Sequence, residues 1–273
     1  MIAMKTSLGL WLVVAASAAC AKQAGGTIAG ADAQFAGDAL AAEIEDGATG
    51  FGPVASQGAA NPSCVTLSGN TADTDGDSIP DAATLTFNCS TTEAGHTGTI
   101  TGTEMVTDPK PTMASWDFTA TADLHFALTA PSGGSITHDR TGTIVGAQQG
   151  TTFSLARTLD ATTTIQASPT STGVSIDETN AWTITYAPTV TWMPGAVVVG
   201  GTASATGSWS VTMGSNAADA TLATTSPLTF TPSCATRVTG GTLTATYEGG
   251  GHMNTLTVAW TGCGARTVTY AAR

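Results

Sequence analysis

The chain has 273 residues, a formal net charge of −12 and only 10% charged residues, against about 25% in ordinary globular domains. Its length suits one large β domain or two small ones, and 41% hydrophobic residues are enough for a core. Eight basic residues without a Lys/Arg cluster argue against nucleic acids and anionic membrane surfaces as partners.

The first twenty residues have the pattern of a secretory leader. Lys5 precedes an apolar run from Leu8 to Ala19, which is too short to cross a bilayer because a membrane-spanning helix needs about 20 apolar residues. A basic start, a short apolar run and small residues before the cleavage point are typical of a signal peptide. The pattern predicts export of the chain and removal of residues 1–19.

The predicted cleavage point reads Ser17-Ala18-Ala19-Cys20 and resembles the lipobox of bacterial lipoproteins. In that family the cysteine is acylated and becomes the mature N-terminus, which implies lipid attachment at Cys20 and a membrane as partner. Two or more acyl chains give stable anchoring, at about 0.8 kcal/mol per buried CH₂. The match departs at Ser17, where a large aliphatic residue is usual. Ordinary cleavage after Ala18 or Ala19, giving a freely secreted protein, is the alternative.

The segment after the cysteine predicts a lipidated tether over residues 20–61. The residue next to Cys20 is Ala21; the lipoprotein resemblance implies the outer membrane or cell surface, because an aspartate at this position favours the inner membrane. The tether is rich in Ala and Gly without a strand pattern. Within it, Leu40 and its neighbours at helical spacing, followed by Gly47, predict one short helix around 34–46 that covers an open face of the sheet. A disordered spacer is the alternative.

The cysteines indicate a disulfide framework in the domain that follows, residues 62–273. With Cys20 assigned to lipid, the remaining four are Cys64, Cys89, Cys234 and Cys263. An even number in an oxidising compartment favours two disulfides. Three pairings are possible, and we favour the two local ones, Cys64–Cys89 and Cys234–Cys263. Each closes a loop of under thirty residues and contributes about 3 kcal/mol in the chain-entropy account.

An acidic run, DTDGDSIPD at 73–81, is the one sharp motif. It places the carboxylates of Asp73, Asp75, Asp77 and Asp81 at positions 1, 3, 5 and 9, and the carbonyl of Ile79 at position 7. Ca²⁺ takes six to eight oxygens at 2.3–2.6 Å, and this spacing supplies most of them. An acidic hairpin loop without an ion is the alternative interpretation.

The same run resembles a single thrombospondin type 3 repeat, a family of aspartate-rich calcium loops. The resemblance implies side-chain ligation by the four aspartates and backbone ligation by Ile79. Two departures weaken the match: Ser78 stands where glycine is usual, and the twelfth position is Thr84 rather than an acidic residue. We therefore expect weak, structural calcium binding, with a Kd on the order of 10⁻⁴–10⁻³ M, as in extracellular modules.

From Cys64 onward the hydrophobic period is two. The clearest segment is 115–130, where apolar residues such as Phe118 and Leu124 alternate with polar ones such as Thr119 and Asp123, as in a half-buried strand. Threonine, which favours strands, makes up about a fifth of the chain. The sequence predicts an all-β fold of about a dozen antiparallel strands, arranged as a large sandwich or a strongly curved sheet.

No contiguous catalytic motif is visible. The four histidines are not at metal-ligand spacing, and His138 and Asp139 are predicted to point to opposite faces of a strand. The tryptophans fall within strand-like alternation, where packing is the default over a sugar platform.

These observations favour a non-enzymatic exported lipoprotein, a structural or binding module of the envelope or cell surface with a structural calcium loop. Its protein or carbohydrate partner is not defined by the sequence. A carrier of a hydrophobic ligand between curved sheets is the first alternative, which requires an apolar cavity of several hundred cubic ångströms. A hydrolase assembled from distant residues is less favoured.

Overall fold

The computed structural model describes residues 37, 38, 40, 41 and 45, and residues 63–272 apart from 78, 114–116, 189, 194–196, 214–215, 235–237 and 250–251. The predicted leader 1–19, the lipid attachment site Cys20 and most of the tether lie outside the described residues. In the described part, thirteen strands form one sheet. The strands are Val65–Asn70 (β1), Ala82–Glu93 (β2), His96–Thr107 (β3), Phe118–Thr129 (β4), Ser135–Gln149 (β5), Thr152–Gln166 (β6), Val174–Tyr186 (β7), Thr191–Met193 (β8), Val197–Met213 (β9), Asn216–Phe230 (β10), Gly240–Gly249 (β11), His252–Trp260 (β12) and Arg266–Ala272 (β13).

The sheet is an antiparallel meander. Each strand pairs with its neighbours in the chain, except that the short β8 pairs only with β9, which itself lies beside β7. β1 and β13 form the two edges of this order. The prediction of about a dozen antiparallel strands is confirmed, and of the two predicted arrangements the structure has the single curved sheet.

Alternation of side chains gives the sheet one buried and one solvent-facing surface. In β6, Leu155 and Leu159 are buried, whereas Thr158 and Asp160 between and beside them are exposed. Each fully buried Leu contributes about 1.5–3 kcal/mol relative to an exposed one. Buried residues from nearly every strand between β3 and β12 form one apolar cluster. A sheet that buries one face over this width has to bend toward that face.

Several glycines within the strands have positive φ, and two of them lie in the long hairpins near the two ends of the sheet order. Gly102 in β3 and Gly241 in β11 have φ values of 126° and 109°, which side chains of L-residues rarely adopt. A Cβ atom at Gly102 would overlap the backbone of Asp123 and Leu124 in β4. Glycine kinks of this kind allow a sheet to curve without breaking its ladder.

A helical segment from the N-terminal region covers part of the buried face. Asp38, Leu40, Ala41 and Glu45 are among its described residues; the rest of the predicted helix 34–46 lies outside them. Ala41 is 0% exposed and belongs to the main apolar cluster, against which Leu40 also packs. No helix in the described part is long and apolar enough to cross a membrane.

Polar contacts attach this helical segment to the last two strands. Trp260 Nε1 donates to Glu45 Oε1 at 2.7 Å, and Arg266 Nε donates to Asp38 Oδ1 at 2.8 Å. These partners are more than 200 residues apart in sequence. The prediction that the helix covers a face of the sheet is therefore supported by packing and by specific contacts.

The two predicted disulfides are present. Cys64 is bonded to Cys89 and Cys234 to Cys263, with sequence separations of 25 and 29. The first closes the hairpin of β1 and β2. The second joins a short 3₁₀ turn, Pro232–Cys234, to the connection between β12 and β13. Both local pairings favoured by the sequence are confirmed.

Candidate metal centre

The acidic run forms the connection between β1 and β2. The two strands end their ladder at the pair Asn70 and Ala82, and the connection is closed by a hydrogen bond from the Asp81 N–H to the Ala72 carbonyl at 2.7 Å. At the other end of this hairpin, the Asn88 N–H donates to the Cys64 carbonyl at 2.9 Å. The acidic loop is therefore held between a ladder and a disulfide.

Within the loop, the carboxylates of Asp73 and Asp77 organise the backbone that follows them. Asp73 Oδ1 accepts from the N–H groups of Gly76 and Asp77 at 2.8 and 3.1 Å, and Asp77 Oδ1 accepts from the Ile79 N–H at 2.8 Å. Aspartate favours such turns because its short side chain reaches backbone donors a few residues ahead. Gly76 has φ of 80°, so a residue without a Cβ suits the tight turn there.

Three carboxylates converge on one point. Single ligand oxygens of Asp73, Asp75 and Asp77 all lie within 4.8 Å of one another. Oxygens on opposite sides of a calcium ion are about 5 Å apart, given its 2.3–2.6 Å bonds, so this spacing fits a shared ion. Asp75 Oδ2 and Asp77 Oδ2 are buried and have no hydrogen-bond partner among the described residues. The chemistry of the group suits a hard cation.

Asp77 is the electrostatic centre of the loop. The residue is 8% exposed. Burial raises the pKa of its carboxyl, the Ile79 N–H lowers it, and the negative charges of Asp75, Asp108 and Asp73 raise it further. A bound cation would remove this repulsion, because it favours the ionised form of every carboxylate around it.

Asp81 and Ile79, the other two predicted ligands, are tied to the loop and to the core by contacts of their own. Asp81 Oδ2 accepts from Asn70 Nδ2 at 3.0 Å and from Thr74 Oγ1 at 2.8 Å, and its Oδ1 accepts from the Thr74 N–H at 3.2 Å. Among the described residues, the convergent group comprises Asp73, Asp75 and Asp77, without Asp81. The Ile79 side chain is buried in the main apolar cluster, which attaches the loop to the core. Ser78 lies outside the described residues.

Sequence reasoning missed one acidic residue beside the loop. Asp108 follows β3, and its N–H donates to the Asp81 carbonyl at 3.2 Å. The only signal in the sequence is position, because Asp108 comes one residue after Thr107, which pairs with Ala82. Finding it required the exact register of β2 on β3, which depends on the turn between Glu93 and His96 as well as on the hydrophobic pattern.

The histidines do not assemble with a carboxylate and a nucleophile in the described contacts. His125 Nδ1 lies 2.6 Å from Asp139 Oδ1 on the exposed face. His138 is buried, and its Nδ1 lies 3.1 Å from Thr163 Oγ1. The prediction that His138 and Asp139 point to opposite faces is confirmed, whereas the cross-strand pair of His125 and Asp139 was not foreseen.

Charged groups lie on the buried face near the middle of the sheet. Arg157 lies over the Trp182 ring at 5.5 Å, and Trp209 Nε1 donates to Glu178 Oε1 at 2.7 Å. Arg157, Glu178 and Trp182 are all buried. An apolar ligand would have to lie against these charges, which disfavours a purely hydrophobic carrier site at this level. Trp182 packs within the core, as the sequence predicts.

Comparison with known proteins gives no assignment. The chain matches no protein-family model, no curated protein and no solved structure.

Proposed function

We propose that the chain is an exported, lipid-anchored, non-enzymatic protein of the cell envelope or surface, whose β1–β2 loop binds Ca²⁺ in a structural role. The observation that carries the calcium part is the convergence of three carboxylates with two buried, unpartnered oxygens. Unpaired buried charge is costly, and a hard cation offsets that cost through direct oxygen bonds.

Support for export comes from the two disulfides, which form and persist in oxidising compartments. Anchoring through Cys20 and placement in a bacterial outer membrane rest on the lipobox resemblance alone. In such a compartment, millimolar Ca²⁺ would stabilise the fold even with weak affinity. At ten times the Kd, binding adds about 1.4 kcal/mol to the free energy of unfolding.

The calcium proposal is tested by thermal melting of the mature domain in EDTA and in millimolar Ca²⁺. We expect Ca²⁺ to raise the melting temperature of the native protein, and we expect Asp75→Asn to remove most of that shift. Asp160→Asn, an equal charge change on the exposed face of β6, is the matched control and should keep the shift. An unchanged melting temperature in the native protein would refute calcium binding.

The anchor is tested separately by mass spectrometry of the N-terminal peptide purified from native cells. We expect a peptide that starts at Cys20 and carries acyl chains. A mature protein that starts at Ala19 or Cys20 without modification would rule out the lipid anchor and leave the calcium proposal intact.

A further inference from the structure

Asp108 joins the acidic loop to the next hairpin. The pairing of Ala82 with Thr107 ends the β2–β3 ladder, and the hydrogen bond from the Asp108 N–H to the Asp81 carbonyl extends it by one step. The last residue of the loop and the first residue after β3 are therefore side by side. Any carboxylate at position 108 is brought next to the loop by the register of the sheet.

The Asp108 carboxylate is buried with half of its hydrogen-bonding capacity unused. The residue is 6% exposed. Its Oδ1 accepts from the Lys110 N–H at 2.7 Å, while Oδ2 is buried and has no hydrogen-bond partner in the described part of the chain. Asp77 has the same arrangement, with Oδ1 bonded to the Ile79 N–H and Oδ2 buried without a partner. Two neighbouring carboxylates thus each present one unsatisfied oxygen to the protein interior.

The basic residue closest to Asp108 in sequence has its side chain paired with another carboxylate. Lys110 is two residues away, but its Nζ lies 2.5 Å from Asp117 Oδ2. Asp117 in turn accepts from the Gln148 N–H on β5 at 3.0 Å. The Lys110 ammonium group therefore forms an ion pair within the connection between β3 and β4. Consistent with this, the charge of Asp108 raises the pKa of Asp77.

We propose that Asp108 is a further carboxylate ligand of the calcium site, supplied from outside the acidic loop. This inference rests on the proposed calcium function and adds a residue to it. Asp108 lies outside the group of three whose oxygens are within 4.8 Å, so binding brings it and the loop closer together. The ion then ties the β1–β2 loop to the end of β3, as well as folding the loop on itself.

The test compares the native domain with Asp108→Asn and with the control Asp160→Asn. Calcium affinity is measured by isothermal titration with CaCl₂, and melting temperature is measured in EDTA and in millimolar Ca²⁺. We expect Asp108→Asn to raise the Kd about tenfold, and to raise the melting temperature in EDTA because one of two facing charges is gone. The rise with Ca²⁺ should be smaller than in the native domain.

A purely structural role for Asp108 gives the opposite pattern. In that case Asp108→Asn would lower the melting temperature in EDTA, or fail to fold, while any remaining folded protein would bind Ca²⁺ with native affinity. Either result would overturn the inference without affecting the calcium proposal. If the native domain itself gave no binding heat and no shift, the calcium proposal would fail first, and the two failures are therefore distinguishable.

Discussion

The two ends of the sheet each contain one disulfide, but they differ in how much apolar surface they bury. At the first edge, the disulfide Cys64–Cys89 closes the hairpin of β1 and β2. Val65 is the only buried residue of β1, and the other five are exposed. Leu67, for example, is 45% exposed. Apolar burial therefore contributes little to holding this edge strand.

Near the other edge, the disulfide Cys234–Cys263 encloses β11 and β12. Leu243 and Val258, one on each of these strands, are 0% exposed and belong to the main apolar cluster. The helical segment adds Ala41 to the same cluster. Here the disulfide reinforces a region that packing already stabilises.

The comparison indicates that a disulfide alone does not stabilise both ends equally, because apolar packing supports β11 and β12 but not the exposed edge strand β1. The connection between β11 and β12 has no acidic run in its sequence. The connection between β1 and β2 has the convergent carboxylates. Under the proposed calcium function, an ion bound in the β1–β2 loop would stabilise this edge strand, whose exposed side chains add little through burial.

The largest expected difference between the two regions is in the cost of shortening a leucine. Leu243→Ala should lower the free energy of unfolding by about 2–5 kcal/mol, because it leaves a cavity in a packed core. The matched change Leu67→Ala should stay within about 0.5 kcal/mol, as expected for an exposed position. Urea denaturation at constant Ca²⁺ measures both, and equal costs would contradict the distinction.

Removing the disulfides in pairs should separate the regions further. Replacing both Cys234 and Cys263 by serine should lower global stability by about 3 kcal/mol, equally with and without Ca²⁺. Replacing both Cys64 and Cys89 should mainly loosen β1, with a loss that millimolar Ca²⁺ partly reverses. Denaturation of both variants in EDTA and in Ca²⁺ checks this, and a loss that depends on Ca²⁺ in the variant lacking Cys234 and Cys263 would break the comparison.

The smallest expected effect concerns a partly buried carboxylate away from the loop, that of Glu104. Burial raises the pKa of Glu104 above its ordinary value of 4.5, and the charge of Arg140 opposes this. The stability that its protonated form contributes is complete below pH 4.5 and is lost as the pH rises through the raised pKa. Relative to the native protein, Glu104→Gln should therefore gain unfolding free energy as the pH increases across this window. Denaturation at several pH values tests this, and a constant difference would contradict it.

Much of the fold could be predicted because its determinants are local. Alternation of apolar and polar residues predicted the strands, and the strand placed at 115–130 runs over Phe118–Thr129. The even cysteine count and short spacings predicted both disulfides. The acidic run predicted the convergence of Asp73, Asp75 and Asp77, because turn geometry brings side chains two residues apart together.

The remaining contacts depend on register and on distant pairing. Asp108 reaches the loop only because β2 and β3 pair as they do. His125 meets Asp139 for the same reason, as direct cross-strand partners. The hydrogen bonds that Asp81 accepts from Asn70 and Thr74 depend on how the loop folds back on the end of β1, which the spacing of the aspartates does not define.

Hydrogen exchange of the mature domain, followed amide by amide in EDTA and in millimolar Ca²⁺, tests the central claim most directly. The account predicts that Ca²⁺ slows exchange in β1, in the adjoining part of β2 and around Asp108, while β11 and β12 keep the same rates. Equal slowing in both regions, or no change at β1, would contradict a calcium site that stabilises the bare edge of the sheet.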